Sequence, residues 1–373
     1  LSEPAVREAV NKGISVVGDV ELFCRQISAP IIAITGSNAK STTTTLVYEM
    51  AKDAGIDVEI GGNIGVPVLD LLKREKQADL YVLELSSFQL ETLHSLRAEV
   101  ATVLNLSEDH MDRYADMNDY RMAKHRIYRS CKQAVFNRQD LLTAPLLPPA
   151  TPVWSFGLDK PDVKQFGVIE KDGEKWLAYF LEPLMPAREL KIKGAHNTAN
   201  ALAALALGNA VGIPMNSMLK TLRNFAGLPH RAQFVAEIAG VTYFNDSKGT
   251  NVGATLAAIE GIGADAEGQI LLLAGGQGKG QDFSPLAPAC AKFAKCAILF
   301  GEDADKVAAA LKNSIAIYLV SGLQQAVVKA RELAAAGDAV LLSPACASLD
   351  MFKNYEDRGN QFVAAVNALV TAG

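Results

Sequence analysis

Ile31-Ile32-Ala33-Ile34-Thr35-Gly36-Ser37-Asn38-Ala39-Lys40-Ser41-Thr42 is an apolar, β-branched run, a break at glycine, and then a polar stretch that opens a helical pattern through Leu46, Met50 and Ala51. A buried strand feeding a tight turn into a helix N-terminus aims free backbone N–H groups, and the positive end of the helix, at an anion. Lys40 then stands where it reaches the β- and γ-phosphates of ATP, and Ser41 or Thr42 offers a hydroxyl to Mg²⁺. Gly36, Ser37, Asn38 and Ala39 supply the turn. The general pattern G-x-x-x-x-G-K-[ST] is only partly met, because Ile34 and Ala39 stand at its two glycine positions. The loop by itself also suits an ordinary βα turn with a solvated lysine. Ala39 poses a specific question: at negative φ alanine costs nothing, and at positive φ it strains the turn by about 1 kcal/mol or more.

Working outward, short apolar runs alternate with amphipathic helical segments through most of the chain, the pattern of parallel sheets covered by helices. In the first half, strands are predicted over Ile31–Thr35 and over residues 80–85, 101–106 and 134–137. Residues 166–170 and 175–180 flank Lys171-Asp172-Gly173-Glu174, a hairpin signal. A buried, alanine-rich helix is expected over 196–210. After a break around Gly227-Leu228-Pro229, a second series follows, with strands at 234–238, Val241–Asn245, 269–274, 297–300, 316–320 and Ala339–Leu342. The division expected is residues 1–20, 21–227 and 228–373. The fold class expected is α/β, a central P-loop-type ATPase domain with a mostly parallel sheet plus a C-terminal Rossmann-like α/β domain.

Several strand ends carry polar chemistry. The run at 80–85 delivers Glu84, and a carboxylate at the end of a buried strand suits a metal ion near the loop, although a surface glutamate is the plainer reading. The run at 101–106 leads into Ser107-Glu108-Asp109-His110-Met111-Asp112, oxygen ligands and an imidazole, in which Asp109 or Asp112 also suits a helix cap. Asn63 sits among three glycines in Gly61-Gly62-Asn63-Ile64-Gly65, which suits either close approach to a ligand or a tight loop. Asn245-Asp246-Ser247-Lys248-Gly249-Thr250-Asn251 follows another strand with a density of short polar groups, part of which an N-cap explains.

Bulk properties narrow the function classes. With 373 residues, two domains are expected. Net charge is −5 and no basic run exceeds two residues, which disfavours nucleic acid as a partner. No apolar stretch approaches the roughly 18 residues needed to span a membrane. Five scattered cysteines without a Cys-x-x-Cys pair read as reduced thiols in a cytoplasmic protein.

Taken together, the Gly36–Thr42 loop and the segments 61–65, 83–90 and 108–112 resemble the central domain of the Mur ligases, as do Gly194-Ala195-His196-Asn197-Thr198-Ala199-Asn200 and Pro229-His230-Arg231. The segments 245–251 and Ser343-Pro344-Ala345-Cys346-Ala347-Ser348-Leu349-Asp350 resemble the C-terminal domain of the D-glutamate-adding branch. The resemblance spans essentially the whole chain. It implies ATP- and Mg²⁺-dependent amide bond formation between D-glutamate and UDP-N-acetylmuramoyl-L-alanine, through an acyl phosphate, by a monomer. Under it, Lys40 binds phosphate, Ser41 or Thr42 lies beside Mg²⁺, and Glu84 and His110 hold two metal ions. It also places Lys124 where the family carries a carbamylated lysine that helps bind the second ion. Asn63, Asn200, Arg231 and Asp246 match positions that contact ATP. Lys248, Thr250, Lys279, Ser348, Leu349 and Tyr355, with His110, fall where substrate is expected, since lysine and hydroxyl groups suit a dicarboxylic amino acid.

Two departures stand out: Ala39 for the usual glycine, and Tyr355 for an expected phenylalanine. Residues 1–20 match only the last stretch of a separate N-terminal domain that grips the uridine diphosphate in the family. A folylpolyglutamate synthase shares the ATP loop and the two-domain frame, but the 343–350 segment argues against it. An ATP-binding fragment without ligase activity, and a nucleotide-driven switch, are the remaining alternatives.

Overall fold

The computed structural model describes residues 3–111, 113–192 and 194–371, so Asp112 of the acidic motif lies outside the described residues. The chain forms two compact units. The first comprises residues 1–106, 116–191 and 198–225, and the second 107–115, 192–197 and 226–373. The segment carrying Asp109 and His110 thus groups with the second unit.

The first unit is built on nine strands: β1 (Ile31–Thr35), β2 (Val58–Gly62), β3 (Leu80–Glu84), β4 (Val100–Val103), β5 (Gln133–Asn137), β6 (Val153–Phe156), β7 (Gln165–Lys171), β8 (Glu174–Tyr179) and β9 (Glu182–Pro186). They lie in the order β2-β3-β1-β4-β5-β6-β7-β8-β9. Pairing is parallel from β2 across to β7, and antiparallel through β8 and β9. β1, β3 and β4 are buried at every position, which is why they read as continuous apolar runs. β1 runs between β3 and β4, so its C-terminal end is a topological switch point, the place where open α/β sheets generally take their ligands. The helix Lys40–Asp53 follows directly and packs on the sheet through Leu46, Val47, Met50 and Ala51.

The second unit holds β10 (Gln233–Ile238), β11 (Val241–Asn245), β12 (Ile270–Ala274), β13 (Ala294–Leu299), β14 (Ala316–Leu319) and β15 (Ala339–Leu342) in the order β10-β11-β15-β12-β13-β14. Only β10 is antiparallel to its neighbour. Side chains alternate between faces with the strand period of two. Ile270, Leu272, Leu299 and Leu341 go to a core with Ile259, Leu286 and Val307. Leu271, Leu273, Ile298 and Val340 go to a core with Val327, Phe362 and Val366. Both faces are therefore covered, as a parallel sheet requires.

The expected α/β class is what the structure shows, a large mostly parallel sheet and a second Rossmann-like one. The hairpin at 171–174 forms as read, joining β7 to β8. β2, β6 and β9 were not expected. β2 is interrupted by Glu59 and two glycines, and β9 carries two prolines, so neither presents an apolar run.

Candidate functional site

The loop after β1 is held from below by the chain leaving β4. The Ser37 amide donates to the Asn105 carbonyl at 2.9 Å, and the Asn38 amide to Asn105 Oδ1 at 2.8 Å. Asn105 Nδ2 returns to the Asn38 carbonyl at 3.2 Å, so one side chain brackets the turn from both sides. A Cβ at Gly36 would meet Leu104 Cβ at 3.1 Å, which is where the close approach requires glycine. Ala39 caps the helix Lys40–Asp53 with φ 63° and ψ −1°. Its conformation is left-handed, so the alanine there carries strain.

Lys40 Nζ donates to the carbonyls of Gly36 (2.9 Å) and Ser37 (3.0 Å). Lys124 Nζ donates to the same Gly36 oxygen at 2.9 Å. Two lysine nitrogens that share one acceptor at 2.9 Å lie within about 6 Å of each other, an arrangement suited to a polyanion. Lys124 is only 2% exposed and lies over the Tyr120 ring at 4.7 Å, while the Tyr120 hydroxyl is 3.3 Å from Ser37 Oγ. Lys124 is therefore not a solvated surface lysine. Ser41 and Thr42 are each 6% exposed in the first turn of the helix.

Glu84, the last residue of β3, is 1% exposed rather than a surface carboxylate. Its Oε1 accepts from Asn63 Nδ2 at 2.8 Å, and its carbonyl from the Asn63 amide at 2.8 Å. Its Oε2 is buried without a hydrogen-bond partner. A buried carboxylate oxygen left unsatisfied is costly unless a cation completes it, and a hard oxygen donor fits Mg²⁺. No group of three or more His, Cys, Asp or Glu side chains gathers among the described residues. An ion at Glu84 would therefore complete its shell with hydroxyl, phosphate or water oxygens, as magnesium commonly does. At Gly62 the glycine is required by the neighbouring strand: a Cβ there would lie 2.1 Å from the Glu84 carbonyl oxygen. Ser86, beside Glu84, is committed to a capping box with Gln89.

In the second unit, Asp109 is 8% exposed and takes Asn251 Nδ2 at 3.2 Å and Lys279 Nζ at 3.4 Å. It also accepts the His110 amide at 3.0 Å, and His110 Nε2 is 3.7 Å from its other oxygen. Asp109 does not cap the next helix. That role belongs to Asp116, which accepts the amides of Asn118 and Asp119 at 2.8 and 2.9 Å, because an N-cap must directly precede the first turn. Asn251, by contrast, does cap Val252–Asp265.

Three strand ends of this unit supply the other expected residues. After β11, Asp246 accepts from Ser343 Oγ at 2.7 Å and the Ala232 amide at 3.0 Å. Burial pushes its carboxyl up to about 7, against the pull of those bonds and of the Arg231 and Arg358 guanidiniums. Lys248 Nζ lies over the Tyr355 ring at 3.9 Å. Ser348 is buried, whereas Leu349 is 67% exposed. Burial draws the His230 imidazole down, and Asn245 Nδ2 lies 2.9 Å from its Nδ1. Asn200 lies in the first unit, buried on the helix Ala195–Ala210.

Three participants were missed in the sequence. Asn105 and Tyr120 support the loop, and Arg358 is fully buried beneath the second unit's strand ends. Asn105, a polar residue just past a buried strand, carried a readable signal; Arg358 carried none.

A model of the Mur ligase middle domain matches residues 34–208, and one of the Mur ligase glutamate ligase domain matches residues 230–346. The UDP-N-acetylmuramoylalanine--D-glutamate ligases of Pseudomonas fluorescens Pf-5 and Pseudomonas aeruginosa PAO1 are each 59% identical over 369 residues, covering 99% of this chain and 82% of theirs. The enzyme of that name from Acinetobacter baylyi is 56% identical over 371 residues, with 98% and 82% covered. Among solved structures, the MurF ligase from Thermotoga maritima in complex with ADP superposes with a TM-score of 0.72 at 17% identity, covering 95% of this chain and 85% of that one. The UDP-N-acetylmuramate-alanine ligase MurC of the same organism gives 0.67 at 17% identity, covering 98% and 82%.

Proposed function

The chain belongs to the Mur ligase family, and we propose that within it the reaction is the ATP-driven joining of D-glutamate to UDP-N-acetylmuramoyl-L-alanine, a step in peptidoglycan precursor synthesis. The observation that carries this reading is the 59% identity, over 369 residues, to ligases of that specificity. The γ-phosphate passes from ATP to the carboxylate of the alanyl acceptor, leaving ADP and an acyl phosphate. The D-glutamate amine then attacks the carbonyl carbon, the C–N bond forms, and phosphate leaves as the amine loses its proton. Both steps depend on neutralising clustered negative charge and on holding the reactants in line.

The first unit supplies the phosphate cradle. Lys40 and the amides at the start of Lys40–Asp53 bind and orient the β- and γ-phosphates, and Asn105 keeps the loop in shape. Glu84 with Ser41 or Thr42 would hold Mg²⁺, the buried Glu84 Oε2 being the oxygen that calls for it. When bound, Mg²⁺ supplies charge neutralisation at the transferring phosphate. Carbamylation of Lys124 would turn a buried cation into an anionic oxygen ligand. His110 as a ligand of a second ion, and Asn63, Asn200, Arg231 and Asp246 as ATP contacts, rest on their motifs. In the second unit, Lys248, Thr250, Lys279, Ser348, Leu349 and Tyr355 are assigned to D-glutamate. All five cysteines are free and buried, which suits a protein that works in a reducing compartment.

The test is phosphate release with each substrate omitted in turn. Release is expected only when ATP, Mg²⁺, D-glutamate and the UDP-linked acceptor are all present, and Lys40→Ala abolishes it. Equal turnover with L-lysine or diaminopimelate in place of D-glutamate would overturn the substrate assignment.

A further inference from the structure

Arg358 has no exposed surface, and its guanidinium reaches four acceptors in the second unit. Nε donates to Ser247 Oγ at 3.0 Å and Nη2 to the Ser247 carbonyl at 2.8 Å. Nη1 donates to the carbonyls of Cys346 (3.2 Å) and Ala347 (3.4 Å). Ser247 follows β11, and Cys346 and Ala347 follow β15. The Ala347 carbonyl also accepts the Gln277 amide at 3.0 Å, and its amide donates to the Gln277 carbonyl at 2.8 Å, which brings in the segment after β12. Ser247 Oγ in turn donates to the Tyr355 carbonyl at 2.8 Å. The side chain thus fastens two strand ends directly, reaches the third through the Ala347 backbone, and reaches the start of its own helix, Tyr355–Thr371, through Ser247.

Burying an arginine is expensive, and an apolar residue of similar volume fills such a space at equal or lower cost. What an apolar residue cannot do is hold several carbonyls at fixed separations. Each fastened segment carries a residue of the amino-acid pocket within two positions: Lys248 beside Ser247, Ser348 beside Ala347, and Lys279 two beyond Gln277. A dicarboxylic amino acid needs its cations and hydroxyls at set spacings, and displacement of about 1 Å costs on the order of 100-fold in rate.

We propose that Arg358 is a positioning residue for the amino-acid subsite, setting the spacing of Lys248, Lys279 and Ser348 through the backbone of their three loops. The inference rests on the reading of those residues as the D-glutamate pocket. Arg358 touches no substrate in this role; it acts through the segments it binds.

The experiment is steady-state kinetics of the full chain with D-glutamate, ATP and the UDP-linked acceptor varied separately. The variants are Arg358→Lys, which keeps the charge but loses the planar fork, and Ser247→Ala, which removes only the Nε acceptor and the bond to Tyr355. Expected is a rise in KM for D-glutamate of about 10-fold or more in Arg358→Lys and about 5-fold in Ser247→Ala, with KM for ATP changed less than about 2-fold. If Arg358→Lys does not fold, Ser247→Ala decides alone. Equal shifts in every KM, or none, overturn the positioning role. Lys279→Met separates the two layers. If it raises KM for D-glutamate while the other variants do not, only the positioning role falls. If Lys279→Met leaves that KM unchanged, the pocket reading falls and this inference with it.

Discussion

A single methyl group at Gly62 should disturb the Asn63–Glu84 pair at the ends of β2 and β3. Gly62 ends β2 at φ +96°, and a Cβ there would sit 2.1 Å from the Glu84 carbonyl oxygen and 3.2 Å from the carbonyl carbon. Relieving that overlap forces the ends of β2 and β3 apart by about 1 Å, since non-bonded carbon and oxygen approach to about 3.3 Å at closest. The Asn63 amide bond to the Glu84 carbonyl (2.8 Å) stretches with them, a loss of about 1 kcal/mol. The positive φ adds roughly 1–2 kcal/mol for any L-residue. Gly62→Ala should therefore destabilise by about 2–3 kcal/mol, or roughly 4–12 °C in melting midpoint for a unit of this size. Because Asn63 and Glu84 move as a pair, the Mg²⁺ dependence of phosphate release should weaken as well. Gly173→Ala is the control: its φ is +77°, but a Cβ there meets nothing within 4 Å. That variant should cost only about 1 kcal/mol and leave kcat unchanged. Scanning calorimetry and Mg²⁺ titration of the two variants side by side provide the assay. Gly62→Ala behaving like Gly173→Ala in both would refute the reasoning.

Glu84→Gln keeps the shape but removes the charge at the unsatisfied buried oxygen, so Mg²⁺ should bind at least about 10-fold more weakly, or ~1.4 kcal/mol. An unchanged Mg²⁺-induced shift in melting temperature with an ATP analogue would contradict this. Ala39→Gly should stabilise the chain by about 0.5 kcal/mol, because relief of the left-handed alanine exceeds the added unfolded-state entropy; urea unfolding that shows a loss of stability would count against the strain. Burial pushes the Glu21 carboxyl up, but the His94 and Ser95 amides, Ser95 Oγ and Arg25 outweigh it and bring it down to about 2. With the folded value below the unfolded one, this contribution is complete above about pH 4.5 and fades as pH falls toward 2, by roughly 3 kcal/mol at most. Glu21→Gln should flatten that acid limb of stability, and identical urea midpoints against pH in both proteins would dismiss the assignment.

Strands buried on both faces were legible because a parallel sheet calls for near-continuous apolar runs, as Ile270–Ala274 is throughout and Ile31–Thr35 is up to its last residue. The helix start at Lys40 was legible for a similar local reason, a glycine break followed by hydroxyls. β2 and β9 were not, since their pairing is decided by neighbours far along the chain rather than by their own composition. The cap of Met117–His125 shows the same limit. Asp109 and Asp116 are the same residue type, and only the path of the backbone assigns the cap to Asp116.

The sequence by itself determined the fold class, the strand–glycine–helix turn that carries Lys40, and the ligase family, because those depend on residue types at short, ordered spacings. Tertiary structure alone decided that Ala39 is left-handed, that Glu84 buries an unsatisfied oxygen, that Lys40 and Lys124 share the Gly36 carbonyl across 84 residues of sequence, and that Arg358 ties the loops after β11 and β15 together. Each is a matter of burial and of contact between distant segments, and neither property belongs to a residue until the sheets have assembled around it.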